Sequence, residues 1–276
     1  MIIKNSKSKK AMLLLLVIVL VATIIIFILF AKYYNDTQVP ELIDSPTEIS
    51  VGSVEDIENL TIDDVNDIGG YITTYQSKTE IPKEIKGRFT SQKILDQEDA
   101  ATALLSLRNL FGITEYSFYC EDINEGDEIS ILLHQLHNGI PVDGGYFRIV
   151  NSKNGQAVSV KGTFIEVSDV ETNPKISYED GKKSIDLESN THIKSAQLVI
   201  CAMNDITPVL CWKYETKAQD PIDSKLIYVN AINGNIEMEI PTAISWKIKT
   251  IPHNYNVRIV NSDFPKIVIK TLYEVT

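Results

Sequence analysis

The segment from Ala11 to Ala31, AMLLLLVIVLVATIIIFILFA, carries no charge and a single hydroxyl, Thr23. As a helix rising about 1.5 Å per residue it matches a hydrocarbon core about 30 Å thick, and so predicts one bilayer-spanning helix. The run exceeds the about 7–15 apolar residues of a cleavable signal peptide and continues into LFAKYY rather than a small-residue cleavage site, which reads as an uncleaved anchor. Lys4, Lys7, Lys9 and Lys10 precede the span and only Lys32 follows it closely. That bias places residues 1–10 in the cytoplasm and the chain after residue 31 outside a cell membrane crossed once. Any folded part is then extracytoplasmic.

The formal net charge is −11 with the anchor-flanking lysines included. A chain this acidic is repelled by phosphate backbones and anionic headgroups, which argues against nucleic acid as a partner. The runs VEDIEN and TIDDVND lack the ordered ligand spacing of a calcium loop and read as a solvated acidic face. Three cysteines are too few for a disulfide scaffold. Cys201 and Cys211 lie on successive expected strands, where they either bridge across a hairpin or serve as two small apolar side chains, depending on register.

Hydrophobic periodicity divides the remainder. Residues 32–86, acidic and broken by Pro40, Pro46 and Pro82, read as a linker followed by early strands such as GGYITTYQ. DQEDAATALLSLRNLFG, Asp96 to Gly112, predicts a helix: Asp96 caps its start, Ala101, Leu104, Leu105, Leu107, Leu110 and Phe111 form an apolar face, and Gly112 ends it. SFYCEDI, ISILLHQLH, YFRIVN and QAVSVKGTFIEV then predict an antiparallel meander. A shorter helix follows at SYEDGKKSIDLES, with Ser177 and Asp180 in capping spacing although Gly181 is a poor helix former. AQLVICAM, PVLCWKYET and KLIYVNAINGNIEMEI supply more strands, the last split by a tight turn at Asn233 and Gly234. Helix followed by strands occurs twice. The expected class is α+β: a transmembrane helix, then two small domains, 87–168 and 169–244, each with a helix packed on an antiparallel meander, and a strand-like extension over 245–276.

Within this frame Gln135, Gly139, Pro141, Val142, Gly144, Gly155, Val158, Ser159, Val160 and Gly162 stand in a fixed order. Together with the preceding EDA helix they resemble the fungalysin/thermolysin propeptide domain, and residues 174–240, with YVNAINGNI, resemble the PepSY domain that follows it in prosequences of thermolysin-like metallopeptidases. The resemblance implies a non-catalytic protein that binds a thermolysin-like peptidase, assisting its folding and keeping it inhibited. On that reading the candidate contact surface is the turn between the second and third strands of the meander, Asn138, Gly139, Ile140, Pro141, Val142 and Gly144, with its flanking strands and the segment after Ile240. Asp143 then sits at an exposed loop tip. Three positions depart from the family pattern: Ser130 and Leu132 replace polar residues on the strand before the turn, and Asn230 replaces an aspartate in the last hairpin.

Catalytic apparatus is not legible. No H-E-x-x-H occurs, and HQLH places His134 and His137 on a strand, where the alternation of side chains points the two rings to opposite sides. One is then buried and one solvated; His192 and His253 read as isolated surface positions. No nucleophile elbow, P-loop or dinucleotide fingerprint is present. The sequence therefore predicts no enzymatic activity, no cofactor and no metal site. Two other readings stay open: an envelope sensor or assembly module that holds another membrane protein, and a truncated metallopeptidase precursor.

Overall fold

The structure is a computed structural model that describes residues 40–242 apart from 78, 189 and 204–206, together with 16 and 20–28. The expected span at 11–31 therefore falls largely outside the described residues, as do the extension over 245–276 and His253. Residues 20–28 are helical and exposed, and among the described residues no helix is long and apolar enough to cross a membrane.

The described part is mixed α+β. It runs β1 (Glu41–Ile43), a 3-10 turn (Val54–Asp56), α1 (Ile62–Asp67), β2 (Gly70–Tyr75), β3 (Pro82–Gly87), α2 (Gln97–Leu105), α3 (Arg108–Phe111), β4 (Phe118–Glu125), β5 (Glu128–His137), β6 (Ile140–Ser152) and β7 (Ala157–Thr163). Then follow α4 (Tyr178–Lys182), β8 (Thr191–Cys201), β9 (Val209–Ala218), a second 3-10 turn (Pro221–Asp223), β10 (Lys225–Asn230) and β11 (Ile236–Pro241). Among the described residues the strands make one hydrogen-bonded sheet, ordered β11-β10-β9-β8-β6-β7-β3-β2, with β5 also on β6, β4 on β5 and β1 on β8. Both expected meanders are present as antiparallel runs, β4 to β7 and β8 to β11. They join through a short parallel pairing of β6 with β8.

The helix expected from Asp96 to Gly112 forms with its caps in place but broken in two. Asp96 accepts from the Asp99 N–H at 2.8 Å, and Gly112 ends the second piece with a left-handed φ of 67°. The break has a tertiary cause. Ser106 O, which an uninterrupted helix would offer to Leu110, instead accepts from Leu60 N–H at 2.7 Å, while Leu110 N–H turns to Leu107 O at 3.0 Å. The Arg108 guanidinium closes the joint by donating to Leu105 O at 2.9 Å and to Ile57 O at 3.1 Å. The stretch read as linker thus carries a helix of its own: α1 is capped reciprocally by Thr61 and Asp64, and Ile49, Val65, Ile57 and Leu60 join the core under α2. Its acid-rich sequence hid the Thr61-x-x-Asp64 signal.

Two cores sit under the helices. Leu104, Leu105, Leu107 and Phe111 pack on Ile131, Leu133, Phe147 and Ile149, with Phe111 edge-on to Phe147 at 5.2 Å. Around α4, Tyr178 and Ile185 cover Trp212, Tyr214, Ile227, Val229 and Ile200. The Trp212 indole N–H donates to Ile176 O at 2.8 Å and the Tyr214 hydroxyl to Tyr178 O at 2.6 Å, so both buried donors are satisfied. Ser177 caps α4 as expected.

Gly181, the weak point of that helix in the sequence, is there for space. A Cβ on it would lie 2.5 Å from the Tyr214 hydroxyl. Alanine should gain about 1 kcal/mol of helix propensity, yet Gly181→Ala is expected to destabilise the fold in urea because the fixed hydroxyl has nowhere to move. Adding Tyr214→Phe, which removes that oxygen, should recover part of the loss; strict additivity of the two substitutions would refute the contact.

Candidate functional site

Gln135, Gly139, Pro141, Val142 and Gly144 converge where β5, β6 and β8 meet. His137 and Ile140 are paired across a two-residue turn in which Asn138 has φ 51° and Gly139 φ 77°. Both central residues are left-handed, the type I′ geometry for which Asn-Gly is favoured and which matches the twist of the flanking strands. The turn is therefore two residues long, and Ile140 and Pro141 already belong to β6.

Beyond Pro141 the strand leaves its neighbour. Leu136 pairs with Pro141 and His134 with Tyr146, so Val142 to Gly145 stand against Gln135 alone. Val142 and Asp143 pair instead with Ile200 and Cys201 of β8, and Ala202 N–H donates to Asp143 O at 3.0 Å. The buried Gln135 side chain takes over as a substitute peptide, donating to Ile165 O at 2.8 Å and accepting from Ile165 N–H at 3.0 Å. Gly145 makes room for it, since a Cβ there would lie 2.3 Å from the Gln135 amide oxygen. Gly144 has φ 118° and passes so close to β8 that a Cβ would lie 2.7 Å from Ala202 O. Gln135, Gly139, Val142 and Gly144 thus each have a task in one strand excursion.

This corrects two expectations. Ile140, Pro141 and Val142 are buried within the chain, Gly139 and Gly144 are half-buried, and only Asn138 is exposed. Nor does Asp143 occupy an exposed tip. Its carboxylate accepts from Lys213 Nζ at 3.0 Å and from the Tyr228 hydroxyl at 2.9 Å, and its side chain is 13% exposed. Burial, followed by the Asp143 charge, raises the Tyr228 phenol well above its ordinary value and keeps it a donor. No local pattern announces this triad, whose members come from β6, β9 and β10; facing parity on β9 and β10 was its only trace.

His134 and His137 each face a different carboxylate. His134 Nε2 lies 2.8 Å from Glu121 Oε2, close but not aligned as a hydrogen bond, and its ring stacks on Tyr119 with centroids 5.4 Å apart. His137 is buried, with Nδ1 2.6 Å from Glu115 and Nε2 3.1 Å from the Asn138 amide. His192 is half-buried on β8. No group of three or more His, Cys, Asp or Glu among the described residues is placed to hold a metal ion. Ser130 accepts from Arg148 at 2.9 Å, and Asn230 accepts from Ile232 and Asn233 N–H while donating to Glu237 at 2.7 Å. Cys201 and Cys211 are buried free thiols, and Cys120 is a half-buried free thiol on β4.

No family model and no curated protein sequence matches the chain. Among solved structures it is similar to the Bacillus megaterium YpeB C-terminal domain, at 15% identity and a TM-score of 0.37 over 66% of this chain and 97% of that one.

Two measurements test the site. Tyr228→Phe should cost about 1 kcal/mol and Asp143→Asn about 1–3 kcal/mol in urea denaturation, with the double substitution costing less than the sum because both remove the same contact. The second concerns acid. His134 holds the Glu121 carboxyl below its ordinary value of 4.5, outweighing partial burial, which acts the other way. The folded chain then binds that proton less readily than the unfolded one, so the carboxylate stabilises the fold above the ordinary value and the gain is lost as pH falls through the lowered one. Glu121→Gln should flatten the stability profile on the acid side of pH 4.5 and leave its slope near neutrality unchanged.

Proposed function

We propose that the chain is a propeptide-like protein, tethered to the outer face of the cell membrane by its first helix, that binds and inhibits or chaperones a thermolysin-type metallopeptidase. The observation that carries this reading is the ordered set from Gln135 to Gly162. These residues match the prosequence motif in spacing, and several have tasks in the β5–β6 excursion that their neighbours in the residue alphabet do not fill. Chance agreement of scattered glycines would not distribute them so.

On this reading the peptidase meets the Asn138–Gly139 tip and the adjoining strands, while Ile140, Pro141 and Val142 hold the tip in place from inside. An anchored assembly or sensor module is the second reading, favoured by the lysine-flanked apolar run, because a prosequence that is cleaved and released needs no tether. Titrating a thermolysin-type peptidase from the same source with the fragment beginning at Lys32 should give saturable inhibition near one equivalent. Asn138→Gly, which keeps the turn geometry and removes the side chain, should weaken inhibition several-fold. Neither inhibition nor binding at a large excess of fragment would overturn the reading, and the dominant membrane protein that copurifies with the full chain would then define the partner.

A further inference from the structure

The chain contains three Asn-Gly pairs, at 138–139, 154–155 and 233–234, and in each the asparagine is exposed. An asparagine followed by glycine loses its side-chain amide by a known route: the glycine nitrogen attacks the asparagine Cγ, ammonia leaves, and water opens the cyclic imide that results. Two things limit that reaction, a glycine N–H free to give up its proton and a proton for the departing nitrogen. We infer, independently of any partner, that Asn138 is a self-deamidating site in which the His137 imidazole, held by Glu115, supplies that second proton.

The three pairs differ in both respects. Gly155 N–H donates to Ser152 O at 2.8 Å and Gly234 N–H to Asn230 O at 2.9 Å. Gly139 lies between the paired residues His137 and Ile140, outside both strands, and its N–H has no acceptor among the described residues. The asparagine side chains are also held differently. Asn154 Oδ1 accepts from the Ser152 hydroxyl and Gln156 N–H, and Asn233 Oδ1 accepts from Asn235 N–H at 2.9 Å, so each is engaged through its oxygen. Asn138 instead places Nδ2, the atom that must leave, 3.1 Å from His137 Nε2. A Cβ at Gly139 would meet nothing within 4 Å, so the attacking nitrogen is open to water.

The imidazole is prepared on its other side. His137 is 6% exposed, and its Nδ1 lies 2.6 and 2.8 Å from the two Glu115 oxygens. A carboxylate on Nδ1 fixes the ring with Nε2 facing the amide, and it compensates the charge when Nε2 takes a proton. The steps balance with water as co-reactant. Water removes the Gly139 N–H proton, the bond from Gly139 N to Asn138 Cγ forms, and the imidazolium passes its Nε2 proton to Nδ2. The Cγ–Nδ2 bond then breaks, ammonia departs, and the ring recovers its proton from solvent. Water adds to either imide carbonyl, leaving aspartate or, with the backbone rerouted through the side chain, isoaspartate. Closure needs rotation about the Asn138 Cα–C bond, and the pair sits at the tip of the β5–β6 ladder, where local opening costs little. Either product brings a new carboxylate to the tip, and isoaspartate adds a methylene to a two-residue turn that sets His137 against Ile140. The exposed side chain at the tip is thereby changed once and irreversibly.

The test is ageing of the full chain in detergent micelles in heavy-oxygen water at neutral pH, followed by digestion and mass spectrometry of the three Asn-Gly peptides. Asn138 should convert first, with label in the new carboxyl and isoaspartate among the products. It should convert several-fold faster than the same residue in the urea-unfolded chain, while Asn154 and Asn233 convert more slowly folded than unfolded. His137→Gln should slow Asn138 by about 100-fold and leave the other two sites unchanged, which also reports that the variant is folded. Glu115→Gln should slow it less, and Glu115→Asp should restore part of the rate, as expected of a positioning residue. If all three sites of His137→Gln convert at the unfolded rate, that variant has lost its fold and the folded-against-unfolded comparison on the wild-type chain decides. Equal rates at the three sites of the folded chain, an Asn138 rate no higher folded than unfolded, or an unchanged rate in folded His137→Gln would each overturn the assignment.

Discussion

The fold depends on one backbone event: β6 changes partner at Pro141, passing from β5 to β8 and back to β5 at Tyr146. A strand that leaves its neighbour exposes peptide groups on both sides of the gap, and buried peptide groups must be satisfied. On the β8 side Ile200, Cys201 and Ala202 supply the pairing. On the β5 side the Gln135 amide does so with one donor and one acceptor on Ile165, the same two bonds a peptide unit would make. Glutamine is among the few side chains able to offer both at that reach, and the absence of a Cβ on Gly145 leaves it the space.

The event fixes where the second meander begins. Because Val142 lies in the core under α4 and Asp143 on the opposite side of β8, the excursion pins both faces of that strand at once. An aspartate there would be costly if it stood alone. Lys213 and Tyr228 offset its desolvation from two further strands, so one polar contact ties β6 to β9 and β10 across the intervening β8. β1 uses the rest of the same edge of β8, pairing in parallel at residues 195–197 and leaving the end of the strand to β6.

Much of this was legible in the sequence, and the division is physical. Local rules placed the Asp96 and Ser177 caps and the Gly112 ending because caps are decided within a few residues; the tight turn expected at Asn233 and Gly234 is instead a longer loop, closed by Asn230 N–H on Asn235 O. The meanders followed from alternation. What escaped was non-local. Leu60 interrupts the Asp96–Gly112 helix across a long sequence separation, α1 hid in an acidic stretch, and the partners of Asp143 lie on strands whose register no local pattern sets. The candidate contact residues were read as a loop because glycine and proline usually punctuate loops. Here the same residues punctuate a strand.

That difference bears on how a motif of glycines, a proline and a glutamine is to be understood. Such residues are constrained by backbone geometry, and at this junction the constraint is met inside the chain. The side chains that this part of the chain leaves exposed are Asn138 at the tip and, on β6, Tyr146 and Arg148; on the proposed reading these would make the contact. A protein that kept the junction but changed those positions would keep the fold and present a different surface. Ser130 and Asn230 are likewise each taken up by a hydrogen bond within the chain, and neither disturbs the excursion.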